Sequence, residues 1–134
     1  MALGGIHHIG VAVLDLDDAI STYQRLLGAS VEARETIASQ GAEAAAMHLG
    51  AGRVELLAPL DDDTPVGRFL ARRGPGMHHV AYEVDNLRAE LARLDGAGVQ
   101  LVDHEPRPGL YGLQVAFIHP DAVHGVLTEL VTHG

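Results

Sequence analysis

The chain contains two related copies of one segment, and this repeat limits the folds that it can adopt. Residues 7–13 read HHIGVAV and residues 78–84, which lie 71 positions later, read HHVAYEV. In both copies a helical pattern, a glycine and an apolar segment follow, and each copy ends with one acid in an apolar run, Glu55 or Glu129. The copies are about 60 residues long. This period exceeds the usual solenoid periods, so the repeat predicts a pair of modules.

Each copy shows the pattern strand, helix, strand, strand, strand. The first helix is predicted to begin after Asp15, whose carboxylate suits an N-cap, and to end at Gly28. The second helix is predicted to begin after Asp85 or Asn86 and to end at Gly96. The paired histidines therefore fall on the first strand of each copy, and the lone glutamate falls on its last strand.

The length of 134 residues fits a single domain spanning residues 1–134. Within it we expect module 1 at about residues 6–60 and module 2 at about residues 77–131. A linker helix is predicted at about residues 64–74, because threonine followed by proline starts a helix there and a glycine ends it.

Composition excludes several classes of function. The chain has nine basic residues against 18 acidic ones and a net charge of −9, which disfavours binding to nucleic acid. All nine basic residues are arginines, so Schiff-base and P-loop lysines are excluded. The absence of cysteine excludes disulfides and thiolate nucleophiles. With no long apolar run and no secretory signal at the start, we expect a cytoplasmic protein without a membrane partner.

Two histidines and two glutamates are candidates for a metal site. Strand side chains alternate between faces, so His8 and Glu55 of one copy and His79 and Glu129 of the other can converge if the two sheets face each other. A glutamate in an apolar strand is costly to bury unless it is paired or bound to metal. Imidazole and carboxylate ligands suit a divalent first-row metal. The preceding histidine of each pair points to the opposite face and is predicted to be structural or exposed.

A set of short motifs extends from about Ile6 to Val131. Together these motifs resemble the methylmalonyl-CoA epimerases, a family of the vicinal oxygen chelate superfamily. They are residues 8–13 (HIGVAV), 40–41 (QG), 54–60 (VELLAPL), 76–81 (GMHHVA), 103–109 (DHEPRPG), 115–120 (VAFIHP) and 125–130 (GVLTEL).

The resemblance implies a fold, a cofactor and a substrate class. The implied fold class is α+β, with two βαβββ modules paired into one cup-shaped mixed sheet. The implied cofactor is one divalent metal ion, with Co²⁺ or Mn²⁺ favoured over Zn²⁺, Ni²⁺ or Fe²⁺, held by His8, Glu55, His79 and Glu129. The implied partners are an acyl-CoA substrate, epimerised at C2, and a second copy of the chain in a homodimer.

Epimerisation needs a base on one face of a planar enolate and an acid on the other. Glu129 is predicted to be one proton carrier. Two candidates stay open for the second: Glu43, if a bulge shifts its strand, and Glu55, if it leaves the metal. Some relatives have a glutamate at the position of Ala44, and strand alternation points Glu43 away from that side. Relatives also commonly have lysine at the position of Asp121, so here recognition of the coenzyme phosphates falls to arginines or backbone amides.

Three other functions fit parts of the pattern. A lactoylglutathione lyase of the same superfamily also moves a proton with a metal-bound glutamate. An Fe(II) extradiol dioxygenase would use His8, His79 and Glu129 as a two-histidine, one-carboxylate triad, although Glu55 would then occupy an open position. A drug-binding protein of the bleomycin-resistance type would share the fold without needing either buried glutamate.

Overall fold

The computed structural model describes residues 3–133 as two compact units. The N-terminal unit comprises residues 8–78, and the C-terminal unit comprises residues 79–133 together with residues 3–7. Residues 1, 2 and 134 of the predicted domain lie outside the described residues. The elements are β1 (Leu3–Ala12), α1 (Leu16–Leu27), β2 (Ser30–Ile37), β3 (Ala42–Leu49), β4 (Gly52–Pro59), α2 (Pro65–Arg73), β5 (Gly76–Val84), α3 (Leu87–Gly96), β6 (Arg107–Pro108), β7 (Leu113–Ile118) and β8 (Thr128–His133).

In the N-terminal unit the strands follow the order β2-β3-β4-β1. β1 and β4 are parallel, whereas β2, β3 and β4 are joined by antiparallel pairing. Helix α1 packs against β3 and β4. Its buried side chains Leu16 and Ile20 form one cluster with Ala45, Met47 and Leu56 of those strands. One face of this sheet is therefore the helix face, and alternate residues such as Glu55 point to the opposite face.

Local capping explains the bounds of α1. The Asp15 side chain accepts a hydrogen bond of 3.0 Å from the Asp18 backbone N–H, and Gly28 ends the helix with φ of 66°. Glycine adopts the left-handed conformation at little energetic cost, and a residue in this conformation ends a helix. Gly28 therefore fixes where α1 ends and where β2 begins. Both ends lie where the sequence predicts them.

In the C-terminal unit the strands follow the order β5-β8-β7-β6, and β5 is parallel to β8. Helix α3 packs on β7 and β8 through a cluster that contains Leu87, Leu91 and Leu130. Asn86 is the N-cap, since its side chain accepts a hydrogen bond from the Ala89 N–H at 3.0 Å. Each unit thus has the βαβββ order that the repeat predicts.

Two details of the C-terminal unit differ from the sequence prediction. Helix α3 continues through Gly96, and the left-handed glycine that follows is Gly98, with φ of 78°. The second strand of this copy is reduced to a bridge at Leu101 and the two residues of β6. The reason is the proline-rich segment, because Pro106 and Pro108 have no N–H to donate to a ladder.

No helix among residues 3–133 combines the length and the apolar character needed to cross a membrane.

Gly41 and Gly28 provide a matched test of backbone strain and packing. Both have φ near 65°, but a Cβ on Gly41 would lie 2.7 Å from Cγ2 of Thr64, whereas one on Gly28 meets no atom within 4 Å. We expect Gly28→Ala to lower the free energy of unfolding by about 1–2 kcal/mol, through the left-handed conformation alone. Gly41→Ala should lose about 1–3 kcal/mol more, because Thr64 must also move. Urea unfolding measures both, and equal losses would contradict the packing argument.

Candidate metal and acid–base site

In the N-terminal unit the parallel pairing of β1 and β4 places a histidine near a glutamate. Gly10 is in register with Glu55, and His8, two residues earlier on β1, shares the face of Gly10. The Nε2 atom of His8 lies 3.6 Å from Oε2 of Glu55. Both residues are buried, with 4% and 7% of their surface exposed. A polar pair is therefore buried on this face of the sheet.

The C-terminal unit repeats this arrangement. Ala81 of β5 is in register with Glu129 of β8, and His79 shares their face. The Nε2 atom of His79 lies 3.4 Å from Oε1 of Glu129, and the two residues are 1% and 2% exposed. The ring of Phe117, which is opposite Glu129 on β7, meets the His79 ring edge to face at 5.5 Å between centroids. This aromatic contact is a favourable edge-to-face arrangement for the imidazole.

The chemistry of these residues fits a divalent metal. Two donor atoms that each lie about 2.0–2.2 Å from one ion are separated by roughly 3.0–3.5 Å, close to the distances within both pairs. Buried carboxylates carry a desolvation cost that a cation can offset. His8, His79 and Glu129 form a group of donors that could hold a metal ion. The prediction of a divalent-metal donor set is thus supported for these three residues.

The structure separates Glu43 from the face that carries Glu55. The register of β3 with β4 runs without interruption from Ala42 to Leu49, so the bulge that Glu43 would need is absent from this pairing. Ala46 is opposite Glu55, and Ala44 shares the face of Ala46. Glu43 therefore points to the helix face, and its condition for acting as the second base is not met.

An ion-pair network holds Glu43 on that helix face. Nε of Arg34 donates to the Glu43 carboxylate at 3.1 Å, and another guanidinium nitrogen of Arg34 donates to Asp17 of α1 at 2.6 Å. The hydrogen bond to Asp17, followed by that to Glu43, raises the pKa of Arg34 above its ordinary value. Arg34 thus stays charged throughout the physiological range and ties β2 and β3 to α1.

The irregularity in this part of the sheet lies in β2 instead. The β2–β3 register shifts between Val31 and Ala33. After the shift, Glu35 of β2 is opposite Ala44. Sequence alternation along β3 alone could not reveal this neighbour, because the position of the shift depends on pairing between strands.

An arginine on the Glu129 face of the C-terminal unit is a second residue that the sequence did not single out for the site. Arg107 is in register with Val115 of β7, two positions from Phe117. Its guanidinium carbon lies 5.5 Å from the Phe117 ring centroid, and its Nε lies 3.3 Å from Asp103. Stacking and ion pairing together define the position of this cation. The motif at residues 103–109 contains Arg107 and marks this segment in the sequence. A motif alone, however, does not show on which face of the sheet the arginine side chain lies.

The neighbouring histidines of the two pairs have other surroundings. His7 is buried and meets the ring of His133 edge to face at 6.3 Å. His78 meets Phe69 of α2 in the same way at 5.0 Å. Both contacts are aromatic packing, which agrees with the first of the two predicted alternatives, structural or exposed.

Comparisons with known proteins agree with the fold of the two units. A family model described as the glyoxalase/bleomycin resistance protein/dioxygenase superfamily matches residues 7–117. The mitochondrial methylmalonyl-CoA epimerase of Bos taurus is 37% identical over 129 residues, covering 96% of this chain and 74% of the bovine protein. The crystal structure of methylmalonyl-CoA epimerase from Mycobacterium tuberculosis superposes with a TM-score of 0.94 at 37% identity, over 98% of this chain and 89% of that one.

A further structure, of a methylmalonyl-CoA epimerase in complex with methylmalonyl-CoA and NH₄⁺, has a TM-score of 0.95 at 37% identity, over 99% of this chain and 96% of that one. These similarities confirm the predicted α+β fold class and the resemblance found in the motifs. The chain belongs to the glyoxalase/bleomycin resistance protein/dioxygenase superfamily and, within it, to the methylmalonyl-CoA epimerase family.

Proposed function

We propose that the protein is a metal-dependent epimerase that inverts the C2 centre of methylmalonyl-CoA. The observation that carries the proposal is the pair of buried histidine–glutamate contacts at equivalent positions of the repeat. The substrate class follows from the relatives, which are named as methylmalonyl-CoA epimerases. The hydrogen on C2 of this substrate is acidic because it lies between a thioester carbonyl and a carboxylate.

The four residues of these two pairs would bind a metal ion, and one of them would also transfer the C2 proton. His8, Glu55, His79 and Glu129 would hold one divalent ion, which imidazole and carboxylate ligands suit, and the resemblance to the epimerase family favours Co²⁺ or Mn²⁺. When bound, the ion supplies Lewis acidity that favours removal of the C2 proton. Glu129 would carry that proton on one face of C2. Its burial excludes water, which strengthens electrostatic interactions at this carboxylate.

Glu55 favours the epimerase over the dioxygenase. A two-histidine, one-carboxylate site keeps its remaining positions open for oxygen and substrate. Here a second carboxylate, that of Glu55, is buried 3.6 Å from His8. This donor set suits proton transfer beside a metal better than activation of oxygen.

Metal binding is tested by removing one imidazole. Protein stripped with a chelator and reconstituted with Co²⁺ should hold a single ion per chain in elemental analysis, and His79→Ala should lose most of it because a buried ligand is missing. His104→Ala is the control, since His104 is exposed and lies 3.6 Å from Asp95. Full occupancy in a His8→Ala, His79→Ala double variant would exclude this site.

Activity is tested by following the C2 proton. In deuterated water the reconstituted protein should exchange the C2 hydrogen of methylmalonyl-CoA and invert the centre, and chelation should stop both, as NMR can measure. Glu129→Gln should slow inversion by ~10²–10⁴-fold, the usual contribution of a proton-transfer group. Metal content is measured beside it, and Glu43→Gln, on the helix face, is expected to leave turnover near the wild-type level. A metal-loaded wild type that neither exchanges nor inverts would overturn the proposed function.

A further inference from the structure

Phe117 is the side chain of β7 that faces the pair formed by His79 and Glu129. It is in register with Glu129 and 5% exposed, and its ring lies 5.5 Å from the His79 ring at an interplanar angle of 89°. An imidazole donates to a metal in the plane of its own ring, so rotation of the ring turns the donor atom away from the ion. A packed neighbour limits such rotation. Any group that holds Phe117 in place therefore also affects His79.

The backbone of Phe117 is bonded to the segment that precedes β6. Its N–H donates to Oδ2 of Asp103 at 2.9 Å, and its carbonyl accepts from the N–H of Val102 at 2.9 Å. Phe117 and Glu129 are therefore a non-hydrogen-bonded pair of the antiparallel ladder, the kind of pair in which facing side chains lie closer. The pairing of β6 ends at Val115, so at Phe117 the Asp103 carboxylate takes the place of a strand carbonyl.

The same carboxylate oxygen also faces the arginine that contacts the Phe117 ring. Oδ2 of Asp103 lies 3.3 Å from Nε of Arg107, and the guanidinium carbon of Arg107 lies 5.5 Å from the ring centroid. Only 17% of the Asp103 side chain is exposed, so water screens these interactions weakly. One carboxylate thus contacts both the backbone of Phe117 and the cation beside its ring.

Glu105 shows that the acids of this segment are not equivalent. Its side chain is 76% exposed and accepts a hydrogen bond of 2.8 Å from Arg88 of α3. This is a surface ion pair, which contributes little to stability and joins the segment to the helix. Asp103, two residues earlier, instead reaches the strand that carries Phe117.

We propose that Asp103 is a positioning residue for the metal site. It holds Phe117, and Phe117 in turn keeps the His79 imidazole in the orientation in which its Nε2 faces Glu129. The inference rests on the proposed function, because it assumes that His79 and Glu129 bind the metal. Loss of the carboxylate deprives the Phe117 N–H of its acceptor and Arg107 of its ion pair. The imidazole then gains rotational freedom, and the ordering of this ring opposes metal binding.

This role predicts weaker metal binding in Asp103→Ala. Chelator-stripped protein is titrated with Co²⁺ against a competing chelator of known affinity. The dissociation constant should rise about tenfold, the lower end of the ~10–100-fold effect of groups that support metal ligands. The visible absorption spectrum of the bound Co²⁺ should change with it, since this spectrum depends on ligand geometry. Asp103→Asn should lose less affinity, because its side-chain carbonyl can still accept the Phe117 N–H. Glu105→Ala is the matched control from the same segment and should retain the wild-type affinity and spectrum.

A double-variant cycle shows whether Asp103 acts through Phe117. Phe117→Leu removes the ring but keeps the backbone N–H, and it should weaken Co²⁺ binding by itself. Asp103→Ala in the Phe117→Leu background should weaken binding by less than about threefold more, because the ring that Asp103 positions is already absent. A merely structural role would lower the urea midpoint of unfolding in both backgrounds and leave the Co²⁺ spectrum of the folded protein unchanged.

The outcomes separate this inference from the proposed function. An affinity of Asp103→Ala within about threefold of the wild type, or independent effects of the two substitutions, overturns the role of Asp103 while the metal site stands. If Asp103→Ala does not fold, Asp103→Asn replaces it, and an unchanged affinity and spectrum then overturn the inference. A wild type that binds Co²⁺ without inverting methylmalonyl-CoA removes the epimerase activity and leaves this inference intact. A wild type that binds no Co²⁺ removes both.

Discussion

Parallel pairing of the first and last strand of each module is the constraint on which both candidate half-sites depend. β1 pairs with β4 and β5 pairs with β8, and each pairing holds a histidine within 3.6 Å of a glutamate. Parallel neighbours need a long crossover connection, here the helix and the two intervening strands. The two residues of a pair therefore stand far apart in sequence: Glu55 follows His8 by 47 positions, and Glu129 follows His79 by 50.

The main energetic cost of this arrangement is the desolvation of the two glutamate carboxylates. Glu129 is 2% exposed, and a carboxylate buried to this extent loses most of its hydration when it is ionised. An imidazole contact alone compensates such a loss incompletely, whereas a divalent cation shared by several donors can offset it. Because of the repeat, a buried glutamate occurs twice, at equivalent positions. Both glutamates lie on rigid strands rather than on loops. Such positioning preserves the distances between donors that a metal requires.

Local signals in the sequence predicted the parts of the structure that depend on a few neighbouring residues. The cap at Asp15, the glycine stop at Gly28 and the alternation around His8 and His79 were confirmed because each follows from backbone geometry within a few positions. The sequence also predicted that Glu43 and Ala44 face opposite sides, and the unbroken β3–β4 register agrees. A displacement of a glutamate by one position along a strand thus moves it to the other face.

Features that depend on contacts between strands could not be predicted from the sequence. The register shift in β2 decides that Glu35 is opposite Ala44, and no local pattern in residues 30–37 announces it. The short β6 likewise reflects pairing with β7, which the prolines restrict to two residues. The motif that contains Arg107 could be recognised in the sequence, but the position of Arg107 on the Glu129 face could not be predicted from it.

The position of β2 at the end of the strand order has a consequence for how the molecule behaves at high concentration. A terminal strand offers its backbone donors and acceptors to any other extended chain and so invites aggregation. In β2 the exposed charges of Glu32, Arg34 and Glu35, together with the register shift, oppose such pairing because a flat, uncharged edge is never presented. Strand β2 thereby protects the folded chain from aggregation with its own copies.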